Sequence, residues 1–253
     1  MGLMANAGTV ILGIAYAALL AGGGLWLAEY ARPTVRAQAV VRALAWVAAA
    51  LITAYLLAEA GFQRKPLFVG VADFLAAGAV GMLAVAPFAG RGKASLVGPL
   101  VLALAALTHV LTARPASPPA ALAQQTLLYA LQAALHALGV GACIAALVGS
   151  LGEFPVREGR RLADGVGIAA MGAGFALSSA WAWLNWGVAW RNDPRLNLLA
   201  AGWLCVVAGH VLRRDGARWG LAAQWLGVAV MLVGVFAADL IAAGWPGLAF
   251  VAW

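Results

Sequence analysis

Charge is what this chain has least of. Charged side chains make up 10% of its 253 residues, where an ordinary globular domain carries roughly a quarter. Acidic groups are the scarcer sign, nine against sixteen basic residues, while 64% of the chain is hydrophobic. A soluble core cannot hide that much apolar surface, so lipid must be the solvent for most of it. Cysteine is nearly absent too. Cys143 and Cys205 each stand alone inside an apolar run, and neither C-x-x-C nor C-x-x-C-H occurs. The chain is therefore not itself a c-type cytochrome, and it offers no pattern for a zinc or iron–sulfur site. Long polar connectors are missing as well, which leaves no place for a folded extramembrane domain. No internal repeat and no low-complexity tail is visible.

What is present is a succession of apolar runs near 5–29, 36–60, 67–89, 94–113, 121–150, 162–187, 194–212 and 217–243. They are rich in Ala, Leu and Gly and run about 20–25 residues, whereas spanning β-strands would show runs of about 10 with polar alternation. The expected fold is all-α: a polytopic transmembrane helical bundle of about eight spans, forming a single transmembrane domain over 1–253. Short charged connectors separate the runs, among them Arg32-Pro33, Gln63-Arg64-Lys65-Pro66 and Arg213-Arg214-Asp215. The Pro-rich stretch 112–120 reads as a rigid external connector.

Basic residues orient the bundle. Arg64, Lys65, Arg114, Arg191 and Arg195 fall on one side, and the other eleven of the sixteen fall opposite. The positive-inside rule puts the richer side in the cytoplasm and both termini outside. The first helix follows MGLMANAG directly, without a basic n-region or a clean cleavage site, and reads as a retained span. The net charge of +7 is then a topology signal, aided by anionic lipid, and calls for no nucleic acid.

Ionisable groups inside hydrocarbon are costly and usually line an interior or a cavity. Glu59, Asp73, His109, His136 and Asp239 all fall in the external half of the expected spans. Glu59, Asp73, His109 and Asp239 can also be read as residues that simply reach the interface. His210, beside Arg213 and Arg214 at the inner end of its helix, reads as interfacial.

One segment stands apart. Residues 181–197, WAWLNWGVAWRNDPRLN, hold four of the eleven tryptophans within ten positions of an external connector. Trp183, Trp186 and Trp190 fall at i, i+3 and i+7, so a continuous helix would align them on one face. Asp193-Pro194 reads as a helix start, with Asp as cap and Pro at the first helical position. Composition alone would also fit an aromatic belt at the membrane surface.

The spacing W-A-x-x-x-W-G-x-x-W-x-x-D-P-R, carried here by Trp181, Ala182, Trp186, Gly187, Trp190, Asp193, Pro194 and Arg195, resembles the signature of the cytochrome c assembly family. These are tryptophan-rich, heme-handling membrane proteins, and eight spans with this segment between the sixth and seventh look most like the CcsA/HemX-type members. The preceding GAGFALSS (172–179) resembles the family's small-residue lead-in, and His136 in LLYALQAALHALG resembles its histidine on the helix before the platform. The resemblance is specific over about 125–215 and general in hydropathy elsewhere, and the expected heme-handling core is about 121–253. It departs from the family at Asn192, where a further Trp is usual, and near the last helix, which has Asp239 and Trp245 but no histidine.

The resemblance implies a heme-binding protein of cytochrome c biogenesis in the bacterial cytoplasmic (inner) membrane. It would present non-covalent heme b at the external face for attachment to apocytochrome c, with a second membrane assembly subunit as partner. Heme asks for aromatic faces, cations and imidazole. Trp183, Trp186 and Trp190 supply faces beside Gly187, Arg191 and Arg195 can pair with propionates, and His136 can ligate iron. His109 is a candidate for the second axial position. No nucleophile or base constellation accompanies them, so the chain is at most part of a heme-attachment system. An accessory subunit of a respiratory or photosynthetic complex, derived from the same family, is the alternative. A transporter of another lipophilic substrate is a third, though no inverted repeat supports it.

Overall fold

The computed structural model describes residues 2–28, 34–62, 71–86, 94–112, 126–148, 158–190, 193–215 and 219–236. The regular structure among them is all helical: α1 (Gly2–Ala28), α2 (Val35–Phe62), α3 (Val71–Val85), α4 (Ala94–Thr112), α5 (Leu127–Val148), α6 (Glu158–Trp186), α7 (Pro194–Arg214) and α8 (Trp219–Phe236). Each helix falls on one of the eight apolar runs. Five segments are long and apolar enough to cross a membrane: Gly8–Ala28, Val35–Glu59, Leu127–Val148, Ala163–Trp186 and Pro194–Arg214. The chain is a polytopic helical membrane protein. The described part of α3, at 15 residues, is shorter than the roughly 20 that a full crossing takes. The rest of its apolar run lies outside the described residues, as do Arg191, Asn192, Asp239 and Trp245.

Contacts divide the chain into two compact units, Met1–Pro118 with Ala137–Gly167, and Pro119–His136 with Ile168–Trp253. In the first, α1 packs on α2 and α4, and α3 packs on the same two helices. The Thr108 hydroxyl of α4 and the Tyr16 hydroxyl of α1 share a hydrogen bond at 3.3 Å. Lipid tails give helices no hydrophobic reason to associate, so close van der Waals contact between small residues must do it. That is seen where α3 meets the second half of α5: a methyl group at Gly81 would strike the backbone of Leu138, and one at Gly141 the carbonyl of Gly78. Around this crossing Met82 and Val85 pack with Ala142, Ala145, Ala146 and Ala163. Asp73 is buried in this unit, Glu59 is half-buried and His109 is exposed.

The second unit is organised by the antiparallel pair α7 and α8. Gly220, Gly227 and Gly234 recur every seven residues on α8, opposite Gly209, Gly202 and Arg195 on α7. A methyl group at Gly202 would lie 2.6 Å from the Gly227 carbonyl oxygen, and one at Gly209 would lie 2.5 Å from that of Gly220. The seven-residue period keeps this seam in register along both helices. At its far end the Arg213 guanidinium donates to the buried Gln224 carboxamide oxygen at 2.6 Å. The seam fixes the start of α7, and with it the segment that carries the tryptophans.

Candidate functional site

Everything that bears on the site lies in the second unit. It begins with a cap: Thr126 precedes α5, and its hydroxyl oxygen accepts the Tyr129 N–H at 3.2 Å. From there Tyr129, Gln132 and His136 follow at i, i+3 and i+7 and share one face of α5. The facing stripe of α6 is Gly174, Phe175, Ser178 and Trp181. The two stripes meet at Tyr129–Trp181, with ring centroids 5.3 Å apart, and at His136–Phe175, 4.6 Å apart.

His136 is only 4% exposed, and its Nε2 has no hydrogen-bond partner. Its seat is made by Gly174. A methyl group there would lie 2.7 Å from His136 Cδ2, 2.9 Å from Nε2 and 3.2 Å from Cγ. Three such similar distances put that position over the flat face of the ring, because an approach in the ring plane would leave the flanking atoms much farther away. The glycine thus supports the imidazole face and does not crowd the in-plane direction at Nε2.

Phe175 is the hub of the aromatic wall. Besides His136 it touches Trp203 of α7 at 5.5 Å and Trp190 at 6.1 Å. Both indoles are anchored by their N–H groups. Trp203 donates to the Ile168 carbonyl at 3.0 Å, and Trp190 to the Asn197 carboxamide oxygen at 3.0 Å. A second set runs from Tyr129 through Trp181 to Trp186, the two indoles standing edge to face at 4.5 Å. Aromatic pairs of this kind contribute about 0.5–1.5 kcal/mol each beyond burial.

The tryptophan segment departs from the single face expected of it. α6 stops at Trp186, and Gly187 takes φ +69°, a conformation that glycine reaches without strain. Its N–H donates to the Trp183 carbonyl at 2.9 Å, which closes the helix end. A methyl group at Gly187 would meet nothing, so this glycine is needed for its backbone rather than for room. Trp190 therefore lies beyond the helix and turns back onto Phe175, while Trp183 is 61% exposed and Trp186 half-buried. The buried member is Trp181.

Asp193 does what its position suggested. Its carboxylate accepts the Arg195 N–H at 2.8 Å and caps α7, with Pro194 at the first helical position. The Arg195 side chain is exposed. Of the two histidines named as ligands, His136 lies in this unit and His109 in α4 of the other. His210 is half-buried near the end of α7. No group of three or more His, Cys, Asp or Glu able to hold a metal ion occurs among the described residues. Sequence reasoning missed Gln132, Gly174, Phe175 and Trp203. Gln132 had a signal, a polar side chain one turn from His136 in an apolar run. The others show only once the helices are paired.

No protein-family model matches the chain, and no curated protein matches it. Among solved structures, one titled Cytochrome c Heme Lyase CcmF is similar, with a TM-score of 0.63 and 17% identity over 90% of this chain and 46% of that one. At that identity the likeness is one of fold. The chain spans about half the length of the structure it matches.

Proposed function

We propose that this chain is a heme-binding membrane protein of cytochrome c biogenesis, presenting non-covalent heme b at the external face of the bacterial inner membrane for attachment to apocytochrome c. The observation that carries the reading is His136: a deeply buried imidazole whose Nε2 has no partner, in an aromatic wall. A buried polar atom left unpaired costs about 1–3 kcal/mol, which binding to iron would offset. The fold shared with CcmF supports the same assignment.

His136 would hold iron through Nε2, oriented by the face contact with Gly174 and the ring contact with Phe175. Phe175, Trp190 and Trp203 would exclude water and pack beside the macrocycle. Gly187 turns Trp190 into that wall. Trp183 and Trp186 form the apolar collar at the end of α6. Arg191 and Arg195 would pair with propionates, and Asp193 holds the segment against α7. When bound, heme supplies the vinyl groups that join to thiols of the client. This chain's own part is to bind, orient and exclude water, with a second membrane assembly subunit completing the system and both termini outside.

Protein purified from its native membrane should show a Soret band, with resolved α and β bands on reduction. Purification with stable redox subunits and no heme of its own would favour the accessory-subunit reading, for which the lack of any histidine after His210 is the supporting observation.

A further inference from the structure

Gln132 raises a question that His136 alone does not answer. It is 5% exposed and its carboxamide oxygen has no hydrogen-bond partner, the same condition as His136 Nε2 one turn further along α5. Four residues of helix rise about 6 Å. Two buried polar atoms on one face, both unpaired and not bonded to each other, describe a two-point site. A carboxamide oxygen can only accept, so whatever meets it must donate.

We propose that Gln132 is a second binding residue of the His136 site, its carboxamide oxygen taking a hydrogen bond from a propionic acid of the heme that His136 holds. The inference rests on the functional reading above. Methyl and vinyl edges of the macrocycle offer no donor, and its two acid arms are flexible enough to fold toward the imidazole side. Surroundings of low polarity favour the neutral, donating form of a carboxylic acid over the carboxylate. Direction agrees as well. Gln132 lies on the Tyr129 side of His136, where Tyr129 meets Trp181, and α6 runs on from there to the turn before α7. The acid edge of the heme would then lie on the side of that turn, where the exposed Arg195 in the first turn of α7 could take the other arm.

The test titrates purified full-length apoprotein in lipid nanodiscs with hemin and with hemin dimethyl ester, which lacks the acid donors, following the Soret band. Wild type should bind hemin about tenfold more tightly than the ester. Pairing of the arms with Arg195 contributes to that ratio, and only the part lost in Gln132→Leu belongs to Gln132. That variant should bring the two affinities within about threefold by weakening hemin alone. Gln132→Asn, which retains the carboxamide on a shorter stem, should fall between. His136→Ala should lose both ligands. An unchanged ratio in Gln132→Leu, with binding still dependent on His136, overturns the role of Gln132 and leaves the function standing. No Soret change on adding hemin to wild type overturns both.

Discussion

Replacing Gly174 by alanine puts a methyl group under the His136 ring. The new carbon would stand 2.7 Å from Cδ2 and 2.9 Å from Nε2, where non-bonded carbons prefer about 3.5–4.0 Å. Close to an ångström of relief has to be found. The α6 backbone cannot give, because Phe175, the next residue, is packed against His136, Trp190 and Trp203. The ring must turn or the two helices must part, and overpacking of this kind typically costs about 1–3 kcal/mol. If the whole cost falls on the imidazole geometry, heme affinity drops about 5- to 150-fold. Hemin titration of Gly174→Ala reads this directly, and the imidazole resonances of histidine-labelled apoprotein read it without heme. His136 should shift and His210 should not. Unchanged His136 resonances together with wild-type affinity would refute the seat assigned to Gly174.

The other predictions follow from the same geometry. Gly209→Ala drives a methyl group to 2.5 Å from the Gly220 carbonyl. It should destabilise the α7–α8 pair by about 1–3 kcal/mol, read as earlier thermal unfolding in detergent. Gly13→Ala, with nothing within 4 Å, should be silent. Asp193→Ala removes the α7 cap at a cost of about 1 kcal/mol. Faster proteolysis between Trp186 and Pro194 should report the loss, with heme partly retained. Ala189→Cys, in the turn before α7, should react with an impermeant thiol reagent in intact cells. Reaction only after permeabilisation would invert the proposed topology.

Much of the fold is legible in the sequence because its causes are local. Length and apolarity of each run set the helices, and Asp193-Pro194 marks the start of α7 within one dipeptide. Trp190 shows where that reasoning ends. Its spacing from Trp183 fits a helix, but Gly187 closes α6 first and sends Trp190 back onto Phe175. The α7–α8 seam is hidden for a related reason. Gly202 and Gly209 acquire meaning only against Gly227 and Gly220 of another helix, and single-chain spacing does not show the pairing. At the site, His136 stands out as a histidine inside an apolar run, at the position that the family resemblance marks. Gly174, Phe175 and Trp203 do not, since what they do is done across helix contacts.

Reconstitution with hemin asks most directly whether His136 is the iron ligand of a heme-binding membrane protein. Wild type, His136→Ala and His210→Ala would be purified in parallel and compared by absorption in oxidised and reduced states. A Soret band with α and β structure is expected in wild type and His210→Ala, and its loss or displacement in His136→Ala. The same spectrum in all three, or a Soret band in none of them, would contradict that expectation.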